Sequence, residues 1–200
     1  MTVKSEARRE AILQAAAEAF DARGFEAARM DDIARRAGVS KGTLYNYFES
    51  KDALLIGLAE SVAQMLISRV RQALEARLAL RESIEYVIEP ILADASGRGI
   101  KRVARIVWSE GLHRPDIVAP FYRGRIAKLF APDSELRRST FLERLPAPYD
   151  KYPMMLLAPL FQGIIAERLG GEALKLDLRD YIRSHFDAVF GCRRGAAEQR

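Results

Sequence analysis

Apolar side chains recur every three to four positions along most of this 200-residue chain, the spacing of one face of an α-helix. Ser5–Arg23 places Ile12, Leu13, Ala16, Ala17 and Phe20 on one side, with Gly24 as its C-terminal stop. A short helix over Met30–Ala37 carries Met30, Ile33, Ala34 and Ala37 on one face and ends at Gly38. Ser40 suits the N-cap of a second short helix that runs to about Phe48 with Leu44, Tyr45 and Phe48 apolar. Ser50 can cap a long helix from Lys51 towards Arg77. Further helices are expected over Arg81–Ala93, Ile100–Leu112, Ile117–Phe130, Met154–Leu169 and Leu178–Phe190. Ala131–Tyr152, with three prolines, reads as loops or a broken helix, and Gly97-Arg98-Gly99 and Gly170-Gly171 read as turns. No stretch alternates as a strand does. The pattern predicts an all-α protein.

Composition narrows the function. With 49% apolar and 30% charged residues, the chain has the makeup of a globular protein and can build a sizeable core. The longest uncharged stretch, Tyr152–Ala166, is interrupted by Pro153 and Pro159 and is too short to span a bilayer. The first ten residues are charged and lead into no apolar signal core, so a cytoplasmic location and no membrane partner are expected. One cysteine, Cys192, excludes a multi-cysteine metal site, two distant histidines, His113 and His185, leave little for a zinc centre or a catalytic triad, and no metal or cofactor is expected. The net charge of +5 suggests an acidic partner, yet residues 1–60 hold 9 Lys/Arg against 10 Asp/Glu. Phosphate binding there would depend on individually placed groups, not on an overall field.

Those groups are found in MDDIARRAGVSKGTLYNYFESK, residues 30–51. Two short helices joined by Gly38-Val39-Ser40, with Ala34 small at the crossing and Val39 placed to fill the corner, predict a helix-turn-helix. The second helix sets Lys41, Gly42, Thr43, Asn46 and Tyr47 on its polar side. Gly42 removes a side chain where another surface could approach the backbone. Thr43 suits a thymine methyl or a phosphate, Asn46 suits adenine, and the Tyr47 hydroxyl can donate to phosphate. A purely structural helix pair accounts for the same periodicity.

Ile33-Ala34, Ala37-Gly38-Val39-Ser40-Lys41-Gly42-Thr43-Leu44-Tyr45, Phe48, Ser50-Lys51 and Leu54-Leu55 together resemble the TetR family of bacterial transcription regulators, over about residues 6–66. The resemblance implies an N-terminal three-helix helix-turn-helix DNA-binding domain, residues 1–50, with the match reaching about 66 through the linking helix. It also implies a C-terminal helical ligand-binding and dimerisation domain over 51–192, leaving 193–200 as a flexible tail. The implied DNA-binding residues are Arg29, Ser40, Lys41, Gly42, Thr43, Tyr45, Asn46, Tyr47 and Lys51, with Lys51 as a phosphate clamp. The sequence departs from the family in having Ala28 and Arg29 where a hydroxyl usually precedes the second helix, and Tyr47 where histidine is common. Arg29 is expected to substitute a charged contact for a capped one.

The resemblance further implies a non-enzyme: a homodimer on a palindromic double-stranded operator, released by a small-molecule effector. Met154–Leu169, apolar nearly all round, and Leu178–Phe190 suit the dimer interface. Met65, Trp108, Glu110, His113, Phe121, Tyr122, Met155, Phe161 and Gln162 are the pocket candidates, although each residue type at helical spacing also fits ordinary core or surface. Two other readings compete with a repressor. One is an activator of the same family, and the other is a helical dimerisation or adaptor protein without sequence preference for DNA. A hydrolase using His113 and Glu110 lacks a nucleophile.

Overall fold

In the computed structural model the described residues are 3–94, 96–129, 131, 134, 145–174 and 176–191. Their order is α1 (Val3–Arg23), α2 (Met30–Arg36), α3 (Lys41–Tyr47), α4 (Lys51–Glu75), α5 (Leu80–Ala93), α6 (Ile100–His113) and α7 (Pro115–Phe121). A π-turn over Tyr122–Ile126 and a short α8 (Ala127–Leu129) continue α7, then a 3-10 turn over Pro153–Leu157 leads to α9 (Ala158–Leu174) and α10 (Leu178–Phe190). No strand occurs among the described residues, and the fold is all-α. Cys192 and the tail 193–200 lie outside the described residues, as does most of the proline-rich segment expected to be irregular.

Packing groups the chain into two units, one of residues 1–67 with 96–128 and the other of 68–95 with 129–200. The first has a single core in which Ile12, Ala16, Phe20, Phe25, Ile33, Leu44, Phe48, Leu54 and Leu58 are joined by Val103, Ile106 and Ile117. Helix termini within it follow from local chemistry. Gly24 adopts φ +78° and donates its N–H to the Phe20 carbonyl, ending α1. At the end of α2, Gly38 has φ +67°, its N–H reaches Arg35 O, and the Val39 N–H reaches Ala34 O, which together form a Schellman cap. Gly57 of α4 lies beneath the Phe48 ring, so a methyl added there would stand 2.8 Å from Phe48 Cε1 and 2.9 Å from Leu13 Cδ2. Ion pairs link α1 to α6: Arg105 and Arg102 share Asp21 at 2.9 and 3.4 Å.

Helix α4 is long and apolar enough by composition to cross a bilayer. Its Leu54, Leu55 and Leu58 are instead buried in the first unit's core, and Asp52 and Glu60 form ion pairs there.

In the second unit, Pro90 lies inside α5 and has no N–H to offer the Tyr86 carbonyl one turn back. Arg69 of α4 fills that vacancy, with Nε donating to Tyr86 O at 2.7 Å while its guanidinium lies 3.8 Å over the Tyr86 ring. Helix α10 starts on Asp177, whose carboxylate accepts the Asp180 N–H. It packs on α9 where Gly163 leaves room for Leu178 and Tyr181.

The expected helix over Met154–Leu169 differs at both ends. It begins as a 3-10 turn under Pro153, and α9 continues to Leu174 through Gly170-Gly171, which is therefore helix and not turn. Leu174 folds back onto Gly170, occupying the space that a side chain at 170 would need. The helix expected from Ile117 starts two residues earlier, at Pro115, where a missing N–H costs nothing. It loosens to π geometry after Pro120.

Candidate nucleic-acid interface

Helix α3 is held from within by Leu44, fully buried, and by Phe48 at its C-cap. Its start is fixed by Ser40, whose Oγ accepts the Thr43 N–H at 3.0 Å and lies 2.8 Å from Thr43 Oγ1. One hydroxyl proton of that pair is spent between the two oxygens and the other is free to donate outward. Val39 packs against the core at the corner and Ala34 is buried beneath the crossing. The buried residues of this helix pair therefore turn the opposite side of α3 to solvent.

On that side are Lys41, Gly42, Tyr45 and Asn46, all exposed, with Thr43 and Tyr47 half-buried at its edges. A methyl on Gly42 would meet nothing nearer than Ser40 Oγ at 4.0 Å, so packing within the chain does not require glycine there. Asn46 has no hydrogen-bond partner among the described residues. The Tyr47 hydroxyl lies 3.1 Å from Ser5 Oγ, which ties the end of α3 to the start of α1. Ser5 was not among the sequence-derived candidates, because nothing in local spacing connects positions 42 residues apart.

Charges near α3 are mostly paired. Lys41 Nζ stands 2.8 Å from Asp31 Oδ1 and 6.0 Å from the centre of the Tyr45 ring. The hydrogen bond and charge of Asp31 raise the Lys41 pKa above its ordinary value. Lys51 Nζ donates to the carbonyls of Phe25 and Glu26, both at 2.8 Å, and sits 4.9 Å from the Phe25 ring. Two of its three protons thus hold the α1–α2 turn, leaving one for an external acceptor. Arg29 is the N-cap of α2, makes no side-chain cap bond and is exposed. With Arg23, Arg35 and Arg36 it surrounds a cleft of about 280 Å³ floored by alanines.

The pocket candidates fall in both units. Met65, Trp108, Glu110, His113, Phe121 and Tyr122 belong to the first unit, whereas Met155, Phe161 and Gln162 belong to the second. Phe121 lines an open cleft of about 510 Å³ with Ile56, Ile117 and Pro120. Tyr122 and Met155 are exposed, His113 ends α6 with Nδ1 2.7 Å from Ser109 O, and Gln162 accepts from the Tyr181 hydroxyl at 2.8 Å. No group of three or more metal-ligating side chains occurs among the described residues.

A short helix braced by a second one, presenting an uncommitted amide and an open glycine to solvent, defines a helix-turn-helix of the kind that enters a DNA groove. Residues 12–58 match the family model for bacterial regulatory proteins of the tetR family. Over that segment the chain is similar to the TetR family. It is 44% identical over 94 residues to the HTH-type transcriptional activator FasR of Mycolicibacterium smegmatis, a match covering 45% of this chain and 43% of that protein. It is 28% identical over 120 residues to the HTH-type transcriptional regulator UidR of Escherichia coli, covering 60% and 59%. The chain thus spans about half the length of the curated relatives it matches. The crystal structure of a TetR family transcriptional regulator from Pseudomonas syringae superposes with a TM-score of 0.57 at 26% identity, covering 96% of this chain and 97% of that one.

Proposed function

We propose that this protein is a sequence-specific DNA-binding transcriptional regulator, acting in the cytoplasm as a ligand-responsive homodimeric repressor on a palindromic operator. The carrying observation is the solvent face of α3, where Gly42, Tyr45 and Asn46 are exposed while Leu44 and Phe48 anchor the helix in the core. Residues 1–50 serve as the DNA-binding domain. Residues 51–192 serve effector binding and dimerisation.

Pairing is supported by α9, whose Ala158, Gln162, Ile165 and Leu169 form an exposed stripe with Ile165 50% and Leu169 82% accessible. A second copy covering this stripe, with the polar outward side of α10 at the rim, would present two α3 helices to one duplex. An effector binding more tightly to a different spacing of those helices would release the operator. The non-enzyme reading rests on the family resemblance and on His113, which is exposed with its Nδ1 held at Ser109 O.

Titration of the purified protein against DNA flanking its own gene tests the proposal, with a Kd of about 10⁻⁸–10⁻¹¹ M expected for a specific site. Absence of any site tighter than random DNA would overturn it. Lys51→Ala should weaken binding to all sequences and lower the salt slope by about one unit. Asn46→Ala should change the selected sequence. The similarity to FasR favours a second reading, an activator. Transcription in vitro from the cognate promoter separates the two by its sign.

A further inference from the structure

The ion pair between Lys41 and Asp31 has a functional consequence for the same surface. Helix α3, KGTLYNY, has one charged side chain, Lys41, and the structure cancels it with the carboxylate of α2 that stands 2.8 Å away. Both side chains are open to solvent, at 61% and 57% accessibility, so burial does not demand the pairing. An acidic group at the start of a reading helix repels the phosphate backbone. Asp31 lies in the first turn of α2, where a carboxylate suits the helix dipole, and at this surface it can also accept a hydrogen bond from a base.

The major-groove edge of a G·C pair supplies the matching pattern. Guanine O6 is an acceptor and cytosine N4 carries a free N–H donor, and the Watson–Crick hydrogen bond holds the two atoms about 2.9 Å apart. Lys41 Nζ and the Asp31 carboxylate are a donor and an acceptor, 2.8 Å apart at Oδ1 and 3.1 Å at Oδ2, the complementary order at nearly the same spacing. With lysine over guanine, the ammonium also finds N7, and the carboxylate meets no other acceptor. A T·A pair offers acceptor and donor in the same order, but then lysine meets the thymine methyl and the carboxylate meets adenine N7, which repels it.

We propose that Asp31 and Lys41 act together as a reader of one G·C base pair in each half-site, with Asp31 as the specificity-determining acceptor for cytosine N4. This rests on the DNA-binding reading above and assigns the base class that part of the site selects.

The test is selection from random duplexes followed by affinity measurement, run in parallel on the wild-type protein, Asp31→Ala and Asp31→Asn, with circular dichroism as the check on folding. The wild type should enrich a palindrome with a fixed G·C pair in each half, preferred over T·A by about tenfold or more. Asp31→Ala should reduce that preference to less than about threefold at that pair alone. It should bind random DNA as tightly as the wild type or more tightly, because a negative charge has been removed. Loss of structure would instead weaken binding everywhere. Asp31→Asn, whose amide can still accept from N4, should retain part of the preference. If the wild type selects a palindrome and Asp31→Ala selects the identical one with undiminished discrimination, Asp31 is not a reader and the inference fails alone. If the wild type enriches no sequence, the DNA-binding reading fails and takes this inference with it.

Discussion

Gly57→Ala tests whether the core fixes the attitude of α3. The added methyl would stand 2.8 Å from Phe48 Cε1 and 2.9 Å from Leu13 Cδ2. Carbon atoms settle no closer than about 3.5 Å, so each neighbour must retreat by about 0.6–0.7 Å. Both are 5% accessible, and neither has open space to enter. Overpacking of this kind costs about 1–3 kcal/mol. Replacing a mid-helix glycine with alanine returns about 1 kcal/mol, so the net expectation is a loss of about 0–2 kcal/mol. Because Phe48 is the C-cap of α3, its displacement should also weaken operator binding. Trp108, the single tryptophan, lies in the same unit, and its fluorescence during urea unfolding follows that unit directly. Phe48→Leu in the Gly57→Ala background should recover stability, with a coupling of more than about 0.5 kcal/mol in the double-mutant cycle. Gly42→Ala is the control, since its methyl has room: stability should rise by about 0.5–1 kcal/mol while operator affinity falls. A Gly57→Ala protein that is more stable than the parent, with Phe48→Leu merely additive, would refute the packing argument.

Other outcomes follow from separate features. Arg69→Met should destabilise the second unit by about 2–3 kcal/mol, because the Tyr86 carbonyl has no N–H from Pro90 to fall back on; far-ultraviolet circular dichroism in denaturant reads this. Arg77, which closes α4 at φ +52°, is a left-handed residue with a side chain, so Arg77→Gly should raise stability by about 1 kcal/mol in thermal unfolding. Burial lowers the His185 pKa, and its Nε2 is enclosed without a hydrogen-bond partner among the described residues. A histidine kept neutral in the folded state leaves the unfolded chain binding more protons, so its contribution is intact above the ordinary histidine range and is lost as pH falls below about 6.5. His185→Gln should flatten that part of the stability profile, and an unchanged acid limb would exclude His185 as its source.

The residues that made the interface legible are those whose local chemistry is self-contained. Ser40 caps α3 and Ser50 Oγ accepts the Ala53 N–H at 3.1 Å, because a hydroxyl at those positions satisfies an orphan amide whatever surrounds it. Gly24 and Gly38 stopped their helices for an equally local reason. What the sequence did not disclose depends on distant partners. The resemblance makes Lys51 a phosphate clamp, and the fold also directs two of its donors to carbonyls 25 and 26 positions away. Tyr47 meets Ser5 only through the fold. Gly170 resembles a turn until Leu174 is seen lying across it. Residue type and helical spacing mark the pocket candidates, and neither property determines which unit a side chain joins.

Val103, Ile106 and Ile117 share one core with the three N-terminal helices, and this limits how the protein can be taken apart. A fragment ending after α3 or partway along α4 would leave the α1 surface that meets them bare to water. Transplanting the reading head into a related protein should therefore succeed only when the graft carries residues 96–128 along with the first 67. A shorter cassette would arrive with a wall missing, and the chimera would aggregate before its choice of operator could be measured.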